Sequence, residues 1–267
     1  MPTAAPAEPD LEVGGRSLRA NLERAIERGY VVRHEEGRLS LRRTPGDLDE
    51  VRRKGGFIGK RGTVTRACEF LNSFMFEHVY ARAALPYGCR SCYKVRIPTR
   101  SLRALMAAKA IAEATQYTTK SGPEVDNPYN GSLYATCLYF DSLEEARKAY
   151  DQLRPRLDEH EHLGAGAAMT IKRGCSNYER ALGPSDRYEI DPRLEAVEAD
   201  FAQRYVNSHP RSPIPKPTLQ ALRMLDMVAM AFRIGDETYK DFTDGEPLYP
   251  TPVNYAAPRP EADRVSA

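Results

Sequence analysis

Alternating and helical patterns of hydrophobic residues in the middle of the chain predict a mixed domain of strands and helices. The six predicted elements are a strand at 93–97, a helix at 101–114, an edge strand at 120–126, a strand at 132–140, a helix at 143–157 and a closing strand at 168–172. Their order is β-α-β-β-α-β, over about 80 residues. The predicted fold class is therefore α+β, with a ferredoxin-like split β-α-β-β-α-β core.

Weaker patterns flank this core. On the N-terminal side, the sequence predicts a short helix, a β-hairpin with strands at 30–33 and 38–41, and a long helix at 65–82. On the C-terminal side, it predicts amphipathic helices at 193–206 and 218–232. The predicted divisions are a disordered N-terminus at 1–15, a helix, hairpin and loop segment at 16–83, the ferredoxin-like core at 84–190, and C-terminal helices with a Pro/Tyr-rich tail at 191–267.

Composition and charge fit a folded protein of the cytoplasm. Hydrophobic residues make up 41% of the 267 residues, and the net charge of +2 is too balanced to indicate a nucleic-acid binder by itself. No apolar run approaches the roughly 20 residues that cross a bilayer, and the N-terminus lacks the basic and apolar parts of a signal peptide. We therefore expect a cytoplasmic protein without membrane partners, in a compartment where cysteines favour metal binding or catalysis over disulfides.

Three of the five cysteines flank the predicted core strands. Cys89 and Cys92 form a C-x-x-C pair directly before the first strand, and Cys175 follows the last strand. In a ferredoxin-like sheet the start of the first strand lies beside the end of the fourth. The topology therefore predicts that these thiols meet at one end of the sheet, although they are distant in sequence.

This arrangement predicts a sulfur-ligated metal centre. Cys89, Cys92 and Cys175 are the expected ligands of an iron–sulfur cluster of the 4Fe-4S type, with zinc as the alternative. Cys68 is the candidate fourth ligand if the helix at 65–82 is broken or shorter than predicted, and it otherwise fits a buried structural thiol. Lys94, Tyr178, Glu179 and Asp186 are predicted to surround the ligands or to act in acid–base steps.

A basic, glycine-rich stretch at 52–66 is the second candidate site. Ile58-Gly59-Lys60-Arg61-Gly62 resembles the GxxG loop with which KH domains clamp a nucleic-acid backbone. Glycines permit close approach of a backbone, and Lys60 and Arg61 supply positive charge. Anion binding by Gly59, Lys60, Arg61 and Gly62 is one interpretation, and a solvated basic turn is the other. His160 and His162 are interpreted as part of a solvated loop.

The leading functional hypothesis is a metalloprotein that performs redox or cluster-dependent chemistry on a small molecule, with a small-molecule substrate or a redox protein as its partner. The alternative is a zinc-stabilised module that binds nucleic acid or regulates a partner through the loop at 52–66. A third interpretation is an assembly domain whose cysteines are incidental. The sequence shows no Ser/His/Asp set and no dinucleotide fingerprint, so whether the protein is an enzyme stays open.

Overall fold

The structure is a computed structural model that describes residues 11–28, 30–35, 38–43, 57–64, 67–125, 131–205, 214–253 and 255–256. It contains helices and antiparallel sheets, which confirms the α+β class. Of the N-terminal segment predicted to be disordered at 1–15, residues 1–10 lie outside the described residues, and residues 11–15 are described and include a short strand at Glu12–Val13. The basic positions 52–56 and 65–66 also lie outside the described residues.

The N-terminal part contains two small antiparallel pairs and one helix. Strands β1 (Glu12–Val13) and β2 (Arg16–Ser17) pair with each other, and β3 (Tyr30–Glu35) pairs with β4 (Arg38–Arg43). Between them lies α1 (Leu18–Glu27), which begins where the Ser17 hydroxyl accepts a hydrogen bond from the Ala20 N–H.

A π-helix at Glu69–Val79 takes the place of the longer α-helix predicted at 65–82. The π-type bonding continues at its end, where the Tyr80 N–H donates to the Met75 carbonyl. Ala81 and Arg82 then adopt positive φ angles of 46° and 65°, which end the helix. The sequence carries no periodic signal for this wider helix. Its buried residues pack in one apolar cluster with residues of the helices at Ser176–Leu182 and Leu194–Arg204.

The main sheet has four antiparallel strands. They are β5 (Tyr93–Thr99), β6 (Thr118–Pro123), β7 (Tyr134–Phe140) and β8 (Thr170–Arg173). Their spatial order is β6-β7-β5-β8, with β5 and β7 at the centre. The loop before β7, the loop before β8 and the chain after β5 therefore meet at one end of the sheet.

Two helices cover one face of this sheet. Helices α2 (Leu102–Glu113) and α3 (Leu143–Asp158) each begin at a serine whose hydroxyl accepts an N–H of the first turn. Their alanine and leucine residues pack on the inward side chains of β5 and β7. The alternate positions, among them Lys94, Arg96, Cys137 and Tyr139, lie on the opposite face.

The remaining helices extend the core at both ends of the sheet. They are α4 (Ser176–Leu182), α5 (Leu194–Arg204) and α6 (Lys216–Arg233), followed by a 3₁₀ helix at Glu237–Phe242. One apolar cluster joins α1, the π-helix, α4 and α5, and another joins α2 and α6. Among the described residues, every helix is too short or too polar to cross a bilayer.

Candidate functional site

The cysteines predicted as metal ligands lie around one apolar cluster. Cys89 and Cys92 are buried in a tight turn before β5, and the Cys92 carbonyl accepts a 2.8 Å hydrogen bond from the Gly174 N–H. Cys175 is the N-cap residue of α4 and packs against the same cluster. Cys68 precedes the π-helix and is exposed.

The prediction of a metalloprotein is nevertheless wrong. Within the described ranges, which include all five cysteines, the structure contains no group of three or more His, Cys, Asp or Glu residues that could hold a metal ion. Convergence of thiols in an apolar cluster is a weaker condition than ligation, because a metal centre also requires the sulfur atoms to point at a common position. The redox function and the zinc-stabilised module both depend on a metal bound by Cys89, Cys92 and Cys175, so the same finding contradicts both.

The Cys89 thiol is buried, and its surroundings keep it protonated. Burial raises the pKa of the Cys89 thiol, the hydrogen bond with Tyr178 lowers it, and the neighbouring cysteines raise it further. The Cys89 Sγ lies 3.3 Å from the Tyr178 hydroxyl oxygen, and burial likewise raises the pKa of this phenol. A thiol with a raised pKa is a poor nucleophile at neutral pH.

Thiol labelling checks this assignment. With an aromatic disulfide reagent at pH 8, we expect the exposed Cys68 to react first, and Cys89 and Cys92 to react only as fast as the protein unfolds. Cys68→Ser should remove the fast phase and leave the slow one unchanged. Rapid modification of Cys89 in the folded protein would contradict the buried environment described here.

A buried carboxylate fixes the turn that carries the C-x-x-C pair. Glu198 of α5 is 6% exposed and accepts hydrogen bonds from the Tyr87 N–H at 2.6 Å, the Gly88 N–H at 2.8 Å and the Tyr80 hydroxyl at 3.0 Å. Burial raises the pKa of Glu198, and the three hydrogen bonds oppose that shift. Glu198 therefore joins α5, the end of the π-helix and the turn before Cys89, which is a structural role.

The residues predicted to surround the metal have other contacts. Lys94 is 9% exposed and lies opposite Lys172 in the sheet, and Lys172 forms an ion pair with Glu179. Tyr178 is fully buried and packs edge-on against Phe76, with ring centroids 4.5 Å apart. The ion pair of Glu179 and the ring contact of Tyr178 are ordinary charge pairing and packing, and the acid–base role predicted for these two residues stays a prediction. The same holds for Asp186, which lies in a 3₁₀ turn at Ser185–Arg187.

The glycine-rich residues lie along the edge of the main sheet. Backbone hydrogen bonds join Ile58 to Ser121 and Lys60 to Thr119, so residues 57–64 extend the sheet beside β6. The Lys60 ammonium donates to the carbonyls of Glu113 and Thr115 at the end of α2, where a positive charge is favourable.

Both glycines of this segment are required by close backbone contact. A Cβ added at Gly59 would lie well under 3.0 Å from the Thr119 carbonyl oxygen, and one added at Gly62 would meet the backbone of Gln116 and Tyr117 equally closely. The pattern therefore has a structural cause. The anion-binding role predicted for Gly59, Lys60, Arg61 and Gly62 stays a prediction.

A cleft of about 530 Å³ lies at the opposite end of the main sheet from Cys89, Cys92 and Cys175. Three chain segments form it: the end of β5 with the start of α2, the loop before β7, and the loop before β8. Its lining residues are Arg96, Pro98, Thr99, Arg100, Ala104, Gly131, Ser132, His162, Leu163, Gly166, Ala167 and Ala168. The volume falls in the range of small-molecule sites. We call it the β5-end cleft.

Arg96 is held rigidly in the wall of this cleft. Its guanidinium donates to the Glu124 carboxylate and, at 2.6 Å, to the Ser132 hydroxyl oxygen. Ser132 in turn donates to Glu124 at 3.1 Å. Both charged side chains of the pair are largely buried, with 16% and 13% exposure. Such a pair, with hydrogen bonds on both partners, fixes the direction of the guanidinium.

Two buried polar atoms beside the β5-end cleft have no hydrogen-bond partner within the described part of the chain. They are Arg96 Nε and Thr99 Oγ1, and Thr99 is 6% exposed. A buried polar group without a partner costs about 1–3 kcal/mol, so native proteins usually supply one. Both atoms have almost no accessible surface, so they belong to the interior of the cleft wall and not to the surface that a ligand would contact.

The start of α2 borders the cleft, but its N–H groups are already used. The Leu102 N–H donates to Asp236, the Arg103 N–H to Thr238, and the Ala104 N–H to the Ser101 hydroxyl. The side chains of the cleft, and not the helix end, are therefore the groups left to bind a ligand. Arg100 is the exposed cation among them.

Sequence reasoning missed the β5-end cleft because its residues come from three separate segments. Arg96 is the polar member of an alternating strand, and Ser132 is a strand-edge serine, so neither belongs to a recognisable motif. The one available signal is topological, since the predicted strand order already brings the end of β5 beside the starts of β7 and β8.

Comparisons with protein-family models, with curated proteins and with solved structures find no match to this chain.

Proposed function

We propose that this protein binds a small molecule with a carboxylate or phosphate group, and that the β5-end cleft is the binding site. The observation that carries the proposal is the pair Arg96 and Arg100 in a cleft of about 530 Å³ whose described lining contains no acidic side chain. Arginine presents a planar fork of donors that matches both kinds of oxyanion.

We also propose that the scaffold is a ferredoxin-like split β-α-β-β-α-β domain. The strand order β6-β7-β5-β8 supports this, because it is the order 2-3-1-4 when the core strands are numbered along the chain. Helices α2 and α3 make the two crossovers, from β5 to β6 and from β7 to β8, on the same face. Such a scaffold carries many unrelated functions, so the functional proposal rests on the cleft alone.

The test is an ¹H–¹⁵N NMR titration with benzoate and with phenyl phosphate, at about 0.15 M salt to screen nonspecific charge effects. We expect saturable shifts at residues 96–104 and 162–168 for at least one probe. Arg100→Ala should weaken binding by about tenfold or more, since a charge-assisted hydrogen bond is lost. Gly166 lines the cleft, and a side chain added there would meet no protein atom within 4 Å. Gly166→Leu should therefore also weaken binding, because the leucine would fill part of the cleft.

The matched control is Arg147→Ala, which removes an exposed arginine of α3 that does not line the cleft. Its affinity for either probe should equal that of the wild type. Equal affinities in wild type and Arg100→Ala, or saturable shifts confined to other parts of the sheet, would refute the proposed site.

A further inference from the structure

The face of the main sheet opposite α2 and α3 carries two lysines without a carboxylate partner. Lys94 of β5 and Lys120 of β6 lie on this face, on either side of β7, and neither forms an ion pair or a hydrogen bond within the described part of the chain. Lys94 is only 9% exposed. Burial lowers the pKa of Lys94, but the surrounding thiols and Glu124 raise it above its ordinary value, so the ammonium is charged at neutral pH. Buried charges in proteins are normally paired.

The carboxylates near these lysines have other partners or positions. Glu124 is bound by Arg96, and Glu179 is bound by Lys172. Asp141 follows the end of β7 and is exposed. The two ion pairs neutralise their own charges, so the ammonium groups of the two lysines keep theirs.

The two lysines lie within electrostatic range of each other. In the register of the sheet, Lys94 lies opposite Tyr139 and Lys120 lies opposite Cys137, two residues away on the same strand, β7. Burial lowers the pKa of Lys120, and although Cys137 opposes this shift, the charge of Lys94 lowers the pKa further. Like charges that lie this close repel each other, and a bound anion turns the repulsion into attraction.

Three polar groups on this face are accessible to a ligand. The Lys94 ammonium and the Tyr139 hydroxyl have no hydrogen-bond partner among the described residues, yet neither belongs to the polar atoms that lack accessible surface, whereas Arg96 Nε does. Lys120 is exposed, and its ammonium lies 3.8 Å from the centre of the Phe57 ring. Exposure decreases from Lys120 through the half-buried Tyr139 to Lys94, so the site opens to solvent at Lys120 and has Lys94 at its base.

We propose that Lys94, Lys120 and Tyr139 bind a phosphate group, either free or as a monoester, and we call these residues the β7 anion site. Two lysine charges match a phosphate group, which carries about −1.5 to −2 at pH 7 in a monoester and offers three acceptor oxygens. The ammonium groups bind two of these oxygens and the Tyr139 hydroxyl donates to the third. Lys94 and Arg100 are six positions apart on an extended chain, about 20 Å, so this site is separate from the β5-end cleft.

Thermal unfolding at about pH 7.5 tests the proposal, with about 0.01 M phosphate compared with chloride at equal ionic strength. The midpoint of the wild type should rise with phosphate concentration and then level off, because the ligand binds the folded state. Lys94→Met should unfold at a higher temperature than the wild type in chloride, because it removes an unpaired buried charge, and it should lose the rise in phosphate. Lys120→Met should weaken phosphate binding about tenfold, and Tyr139→Phe about threefold.

Lys148→Met is the matched control, since it removes an exposed lysine of α3, on the other face of the sheet, and should respond to phosphate as the wild type does. An equal rise in the wild type and Lys94→Met would be the general effect of phosphate on folded proteins, and it would overturn the site. A midpoint of the wild type that does not depend on phosphate would overturn it too. If Lys94→Met does not fold, Lys120→Met decides, because Lys120 is exposed, and an unchanged affinity would refute the proposal.

NMR titration separates this site from the proposed function. Phosphate should shift residues 118–120 and 137–139, and Lys94→Met should abolish these shifts while leaving those of benzoate at 162–168 unchanged. Binding of phenyl phosphate at 118–120 as tight as that of inorganic phosphate would identify a monoester as the ligand, and binding of inorganic phosphate alone would identify the free ion. Either result upholds the β7 anion site, and it stands even if benzoate does not bind in the β5-end cleft.

Discussion

Replacing Glu198 with alanine is expected to lower the free energy of unfolding by about 3–5 kcal/mol. The carboxylate is the hydrogen-bond acceptor for the Tyr87 N–H, the Gly88 N–H and the Tyr80 hydroxyl, and all three donors would lose it. Each buried donor left without a partner costs about 1–3 kcal/mol, and part of this is recovered if water enters the gap. Urea unfolding followed by circular dichroism gives the difference.

Glu195→Ala is the matched control, since Glu195 is an exposed glutamate on the same helix, α5. Its effect should stay within about 0.5 kcal/mol, as for most surface substitutions. In the Glu198→Ala variant, Cys89 and Cys92 should also become accessible to thiol reagents, because the turn that holds them is released. A loss below about 1 kcal/mol, with the cysteines still protected, would show that Glu198 does not hold this turn.

Gly62→Ala should lower the free energy of unfolding by about 2–4 kcal/mol, although it adds only one methyl group. The added Cβ would collide with the backbone of Gln116 and Tyr117, which is less able to move aside than a flexible side chain. Relief of the collision requires residues 57–64 to separate from β6, with loss of the backbone hydrogen bonds between them.

Gly166→Ala provides the comparison, because a Cβ at Gly166 meets no atom within 4 Å. This variant should be neutral or more stable by up to about 1 kcal/mol, since alanine restricts the unfolded chain. Thermal unfolding of both variants measures the contrast. If Gly62→Ala is as stable as Gly166→Ala, then close packing does not explain the glycines of this stretch.

Local patterns predicted the regular elements near the centre of the chain well. Helix α2 begins after Ser101 and α3 after Ser142, where the serine side chains cap the first turn. Apolar alternation placed β5 and β7 within two residues of their observed bounds. Strand β6 lies at Thr118–Pro123 instead of 120–126, because its bounds follow its register with β7 and not its own weak pattern.

Elements that depend on packing were predicted less well. The π-helix ends at Val79 because the chain turns sharply there to bring Tyr80 to Glu198, and no periodicity encodes that contact. Helix α4 has seven residues, which is too short for a clear helical period. The metal prediction failed because cysteine spacing and strand order determine only the neighbourhood of a thiol, whereas ligation depends on side-chain direction.

By itself, the sequence determined the α+β class, the helices and strands of the core, and the end of the sheet at which Cys89, Cys92 and Cys175 lie. Hydrophobic periodicity, helix-capping residues and turn residues each act over a few neighbouring positions, so a short stretch of sequence is enough to read them. Only the tertiary structure decided that Glu198 holds the C-x-x-C turn, that Gly59 and Gly62 lie against a strand edge, and that Arg96 faces a cleft. Each of these is a contact between residues more than 30 positions apart, and such contacts depend on packing and direction in space, which neither composition nor spacing contains.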